Sequence, residues 1–113
     1  MPYNSILMDT VIETTIFTKR ADDNWTEEQR ENFVSHIAES PKAGDVIKGT
    51  GGVRKIRWGS GGRGKRGGVR VIYFHRTEQG EIWLITMYAK SERETIPAHE
   101  LKAIKEAIES NLD

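Results

Sequence analysis

Cysteine is absent from this chain, and with it any disulfide framework, thiolate nucleophile or Cys-based zinc site. The three histidines, His36, His75 and His99, lie far apart and form no His-x-x-x-His pair, so a metal centre has no basis in the sequence. No stretch approaches the roughly 20 apolar residues of a membrane span, and the N-terminus has neither the charged start nor the long apolar run of a signal peptide. A cytoplasmic protein without membrane contact or cofactor is therefore expected. Net charge is missing too, since 17 Lys and Arg balance 17 Asp and Glu. At 113 residues the chain is expected to fold as one domain, 1–113, large enough to bury a real core.

That neutrality conceals a polarised molecule. Between Lys42 and Arg76 lie Lys42, Lys48, Arg54, Lys55, Arg57, Arg63, Lys65, Arg66, Arg70 and Arg76, against the single acid Asp45. Ten bases less one acid give +9 there, and the other residues carry 7 less 16, or −9. Such a block is the electrostatic footprint of a protein that handles phosphate backbones. Glycine concentrates in the same stretch, from Gly44 to Gly68, which lets the backbone turn sharply and approach a ligand closely.

Hydrophobic periodicity predicts a strand over Val11–Phe17 and a turn or short helix in the polar stretch Lys19–Asn24. Thr26-Glu27-Glu28-Gln29 has the form of a capping box opening a helix with Phe33, Val34, Ile37 and Ala38 inward. Pro41 should end that helix near Ser40. Val53–Trp58, Val69–Phe74 and Ile82–Ala89 read as three successive strands, the last apolar enough to be interior. A final helix beginning near Pro97 places Leu101, Ile104 and Ile108 at helical spacing. The expected architecture is α+β: a mainly antiparallel twisted sheet with helices packed on one face.

The glycine-rich connection contains two literal dinucleotide fingerprints, Gly59–Gly64 and Gly62–Gly67, and a near P-loop at Gly59 to Lys65. All three fail on context. Arg66 stands where a P-loop needs Ser or Thr, and a strand follows where the phosphates need a helix N-terminus. Arg63, Lys65 and Arg66 are then either solvated charges or mobile contacts to phosphate. Lys55 and Arg57 share one strand face about 7 Å apart, and Arg70 joins them if the next strand pairs as a hairpin. Three cations so placed repel one another unless an anion lies between them. Nucleic acid and an acidic polypeptide both satisfy that requirement.

The runs Pro41–Ile47, Gly49–Arg57, Gly64–Tyr73 and Met87–Glu92 resemble the RelE-like toxins of bacterial type II toxin–antitoxin systems, and within them the HigB branch. The resemblance covers roughly residues 11–110. It implies a small RelE-like domain that enters the ribosomal A site, cuts messenger RNA without a metal, inhibits translation, and is held inactive by an antitoxin. In the HigB branch the antitoxin is HigA-like and carries a helix-turn-helix domain, so operator DNA is reached only through it. The implied chemistry is attack of the ribose 2′-hydroxyl on the adjacent phosphate, leaving a cyclic phosphate and a free 5′-hydroxyl. It needs a base, cations for the phosphorane and an acid for the leaving oxygen.

On this resemblance Lys55 is the base, provided that clustered charge and partial burial depress its pKa. Arg57 and Arg70 clamp the scissile phosphate, and Lys90 is a fourth cation or the acid. Arg54, Arg63, Lys65, Arg66 and Tyr73 are the expected RNA contacts. Two positions depart from RelE itself: Ser91 replaces a catalytic arginine directly after Lys90, and Pro97 falls where a base-stacking tyrosine belongs. The resemblance therefore leaves the acid role open between Lys90 and other groups, and leaves the stacking ring open as well. Tyr73, Tyr88 and Trp58 are candidates for the ring or for the core, and His75 and His99 for acid–base work or for ordinary surface positions. A toxin of the same fold that inhibits DNA gyrase by protein binding, as in the ParE group, is the alternative.

Overall fold

The computed structural model describes residues 9–59, 68–89 and 96–111. Its elements, in chain order, are β1 (Thr10–Glu13), α1 (Thr15–Asn24), α2 (Glu27–Glu39), β2 (Asp45–Val46), β3 (Val53–Trp58), β4 (Val69–Arg76), a short 3-10 turn (Thr77–Gln79), β5 (Glu81–Ala89) and α3 (Ala98–Asn111). The strands form one sheet in the order β1-β5-β4-β3-β2. β1 runs parallel to β5, and the other pairings are antiparallel. The α+β class and the mainly antiparallel sheet agree with the sequence reading, as do the bounds of β3.

The first strand is shorter than its alternation predicts. It stops at Glu13 because Thr14 caps a helix: its hydroxyl oxygen accepts from Phe17 N at 3.1 Å and donates to Ile85 O at 2.7 Å. Ile16 and Phe17 are thus helical, with Phe17 buried and Ile16 exposed. Period-2 alternation over so few residues cannot exclude a helix start, and the capping threonine decides it. The second helix follows expectation closely. Thr26 accepts from Gln29 N at 3.1 Å, while Gln29 Oε1 accepts from Thr26 N at 2.8 Å, completing the capping box. Ser40 is its C-cap, next to Pro41.

Helices lie on both faces of the sheet, not on one. On the first face α1 and α2 bring Phe17, Ala21, Phe33 and Ile37 onto Val69, Val71 and Tyr73 of β4 and Ile82, Leu84 and Met87 of β5. On the second, Leu101 and Ile104 of α3 pack against Val53, Ile72, Phe74 and Ile85. Residues 71, 73 and 72, 74 alternate along β4, so the two clusters lie on opposite sides of one sheet. A strand buried on both faces reads as a continuous apolar run, which hides the side each helix takes. An aromatic chain stitches the first face together. Trp25 meets Phe17 edge-on at 6.1 Å and Phe33 at 5.3 Å, and Phe33 meets Trp58 at 5.3 Å.

An ionic clasp fastens the sheet edge to the helices above it. Arg30 of α2 donates from Nε to Glu13 Oε2 at 3.1 Å and from NH2 to Oε1 at 2.5 Å, and from NH1 to Asp22 of α1 at 2.7 Å. Thr18 adds a hydrogen bond to Glu13 at 2.8 Å. These bonds, the Arg30 contact first, hold the Glu13 carboxyl below its ordinary value of 4.5 against the opposing effect of burial. A lowered folded pKa stabilises the fold above 4.5, and that stability is lost as pH falls through the folded value. Glu13→Gln should therefore cost about 1–3 kcal/mol near neutrality, with the difference from the parent shrinking in acid. Urea melts between pH 7 and 3 measure it; a difference that stays constant with pH contradicts this account.

Candidate active site

Strand register brings the expected cations together. Arg57 of β3 lies directly opposite Arg70 of β4, and Arg70 directly opposite Tyr88 of β5. Residues directly opposed across a ladder point to the same face with Cα atoms about 5 Å apart, so these three form one transverse row. The next row holds Asp45, Lys55, Ile72 and Thr86 across four strands. Further along, Val53 and Phe74 lie opposite one another beneath α3. The second face thus grades from an apolar end covered by α3 to a cationic end carrying Lys55, Arg57 and Arg70. Lys55 and Arg57 are exposed, and Arg70 and Tyr88 are half-buried.

The row owes its composition to an irregularity. From Arg76–Glu81 to Tyr73–Leu84 the pairing is regular, and it then resumes at Ile72–Thr86, leaving Ile85 with no partner on β4. This bulge shifts every later position by one. Without it Met87 would face Arg70, and Tyr88 would turn to the opposite side. With it Met87 is buried beneath α1 and α2, and Tyr88 packs against the α3 cluster. The bulge is tied down by Thr14, whose hydroxyl donates to Ile85 O and whose N–H donates to Leu84 O at 3.1 Å. Arg20 of α1 donates to Met87 O at 3.0 Å.

Other expected site residues fall elsewhere. Tyr73 leaves the set of RNA contacts, because its ring is 0 % exposed. Its hydroxyl donates to Pro41 O at 2.7 Å and accepts from Gly44 N at 2.8 Å. Burial raises its pKa above the ordinary 10. Gly44 is required there, since a Cβ would come within 2.9 Å of both the Tyr73 ring and the Lys55 carbonyl oxygen. Arg54 lies in register with Tyr73 on the first face and donates to Gly44 O at 2.7 Å, away from Lys55 and Arg57. Tyr73 and Arg54 therefore clamp the loop that carries β2 and place Asp45 opposite Lys55. The buried Thr50 holds the following turn, donating to Ile47 O at 2.7 Å and accepting from Val53 N at 3.0 Å. Arg63, Lys65, Arg66 and Lys90, with Ser91, lie outside the described residues.

Neither the histidines nor Trp58 join the row. His75 pairs with Asp9 (Nε2 to Oδ2, 2.5 Å) five residues along β4 from Arg70, about 17 Å away and on the first face. His99 is exposed near the start of α3. His36 stacks on Trp58 at 4.8 Å, again on the first face. A cavity of about 450 Å³ opens at the far end of β4, where Arg76 pairs with Glu81 and Lys105 with Glu109. Among the described residues the cationic row is instead uncovered, with Lys55 and Arg57 exposed, which suits a polymer lying across the sheet better than an enclosed small molecule. Tyr88 and Asp45 were the residues of this face that sequence reasoning had not placed. The alternation of β5 carried the signal for Tyr88, but its sign depends on the bulge.

Residues 10–112 match the family described as "RelE toxin of RelE / RelB toxin-antitoxin system". Among solved structures, a variant of E. coli toxin RelE with two arginines changed to alanine, in the free state, superposes with a TM-score of 0.61. It is 16% identical, and the match covers 87% of this chain and 97% of that one, a likeness of fold. The chain belongs to the RelE toxin family, the toxins of toxin–antitoxin systems. Membership implies a cognate antitoxin as partner.

Two outcomes follow from the site's construction. Tyr73→Phe leaves Gly44 N–H and Pro41 C=O without their partner and should destabilise the fold by about 1–3 kcal/mol, read as a lower urea midpoint. Arg57→Gln removes one of two like charges set directly opposite, and should leave the fold as stable or up to about 0.5 kcal/mol more stable at low salt. That gain should shrink as salt screens the pair, and a clear loss of stability at low salt would contradict the repulsive reading.

Proposed function

We propose that this toxin is a ribosome-dependent mRNA endoribonuclease of the HigB branch, which cuts in the ribosomal A site and so inhibits translation. The observation that carries the reading is the row of Arg57 and Arg70, with Lys55 one step along the same open face. Guanidiniums match phosphate oxygens in charge and geometry, and a phosphodiester laid across the row meets both arginines and Lys55 together. In this reading Arg57 and Arg70 bind the scissile phosphate and stabilise the added charge of the phosphorane. Lys55 accepts the proton of the attacking 2′-hydroxyl.

The partial burial expected of Lys55 is not found in the chain alone, where the residue is exposed. Enclosure between the face, the message and the ribosome is the proposed source of the desolvation that an amine base needs. The nucleophile is the substrate's own hydroxyl, so the scheme uses no metal. Lys90, which follows the last residue of β5, adds a further cation, and Arg63, Lys65 and Arg66 dock on RNA. The antitoxin is HigA-like, brings a helix-turn-helix domain for the operator, and neutralises the basic face.

Ribosomes programmed with a defined message test this directly. Lys55→Ala and Arg70→Ala should each slow A-site cleavage on the order of 100-fold or more. Binding to the ribosome should weaken steeply with rising salt. If both variants fold and cut at near the parent rate, the nuclease assignment is wrong; gyrase inhibition without message loss points to the ParE-like alternative.

A further inference from the structure

The reaction proposed above has a base and a phosphate clamp, with Lys90 as a further cation, and the group that protonates the departing 5′-oxygen is still to be assigned. We propose that Tyr88 is the general acid that protonates the departing 5′-oxygen; this rests on the nuclease reading. Tyr88 completes the Arg57–Arg70 row, directly opposite Arg70. A phosphate gripped by that row lies beside the Tyr88 phenol, within the reach of one side chain.

Three features set Tyr88 apart from the other proton donors of the described chain. It is half-buried against the α3 cluster, which orders the ring without sealing it from the face. Tyr73 is fully buried with its hydroxyl already engaged. His36 and His75 lie on the other face of the sheet, and His99 is exposed on the separate helix α3. The orientation of Tyr88 is also built in by an irregular element. The bulge at Ile85, held by the Thr14 hydroxyl, is what puts a tyrosine rather than a methionine opposite Arg70.

The step balances without a co-reactant. The 2′-oxygen forms its bond to phosphorus as its proton passes to the Lys55 amine. The bond from phosphorus to the 5′-oxygen breaks, and the phenolic proton of Tyr88 goes to that oxygen. The resulting phenolate shares its row with two guanidiniums, and solvent carries a proton to it as the Lys55 ammonium gives up the one it took, which returns both groups to their starting forms.

The test compares two messages on programmed ribosomes, one all-oxygen and one with sulfur replacing the 5′-oxygen at the scissile linkage. A thiolate leaves without needing a proton, so the second message dispenses with the acid. Tyr88→Phe keeps the ring and its packing, and should cut the all-oxygen message about 100-fold more slowly than the parent. It should cut the sulfur-bridged message at close to the parent rate. Lys55→Ala should stay slow on both messages. Equal slowing of Tyr88→Phe on the two messages, or no slowing on either, overturns the assignment of Tyr88 while leaving the nuclease reading intact. Failure of the parent to cut the all-oxygen message removes the nuclease reading itself, and this assignment with it.

Discussion

Between the Tyr73–Leu84 and Ile72–Thr86 pairs the β4–β5 ladder skips a residue, and the chain uses that skip to choose which side chains face the cations. A bulge leaves backbone groups without ladder partners and would be costly in a sheet buried on both sides. Here Thr14 meets the cost. One hydroxyl caps α1 by accepting from Phe17 N and holds the bulge by donating to Ile85 O. The end of β1, the start of α1 and the register of β5 are thereby one unit. Through that register, the same threonine reaches the row of Arg57, Arg70 and Tyr88.

The two faces of the sheet divide the work. On the first, aromatic packing, the Tyr73 clamp and the Glu13–Arg30 clasp supply stability through buried, satisfied groups. On the second, α3 packs over the apolar end, and among the described residues nothing covers the exposed Lys55 and Arg57. α2 opens on Glu27 and Glu28 over the first face, and the Lys55–Arg57–Arg70 group occupies the second.

Particular residues show why sequence reading succeeded where it did. The capping box at Thr26 and Gln29, the stop before Pro41 and the extent of β3 rest on local chemistry, and local chemistry is written in consecutive residues. The failures share a different cause. Val11–Phe17 alternates as a strand should, yet Thr14 turns the chain into a helix using a carbonyl that is 71 residues away in sequence. Tyr73 and Arg54 sat in a basic, aromatic segment that looked suited to RNA. Their real partners are the backbone groups of Pro41 and Gly44, which no pattern within their own strands reveals.

The sequence by itself determined the class of fold, the concentration of cations in one segment, and the phase that puts Lys55 and Arg57 on one side of β3. These follow from short-range periodicity, capping and composition, each of which acts within a few residues. Tertiary structure alone decided which side of the sheet each helix covers, that Tyr73 is a buried clamp, and that Tyr88 rather than Met87 stands opposite Arg70. The last point turns on one unpaired residue, Ile85. A strand's alternation has a period of two but no fixed origin, and only pairing with its neighbours supplies one.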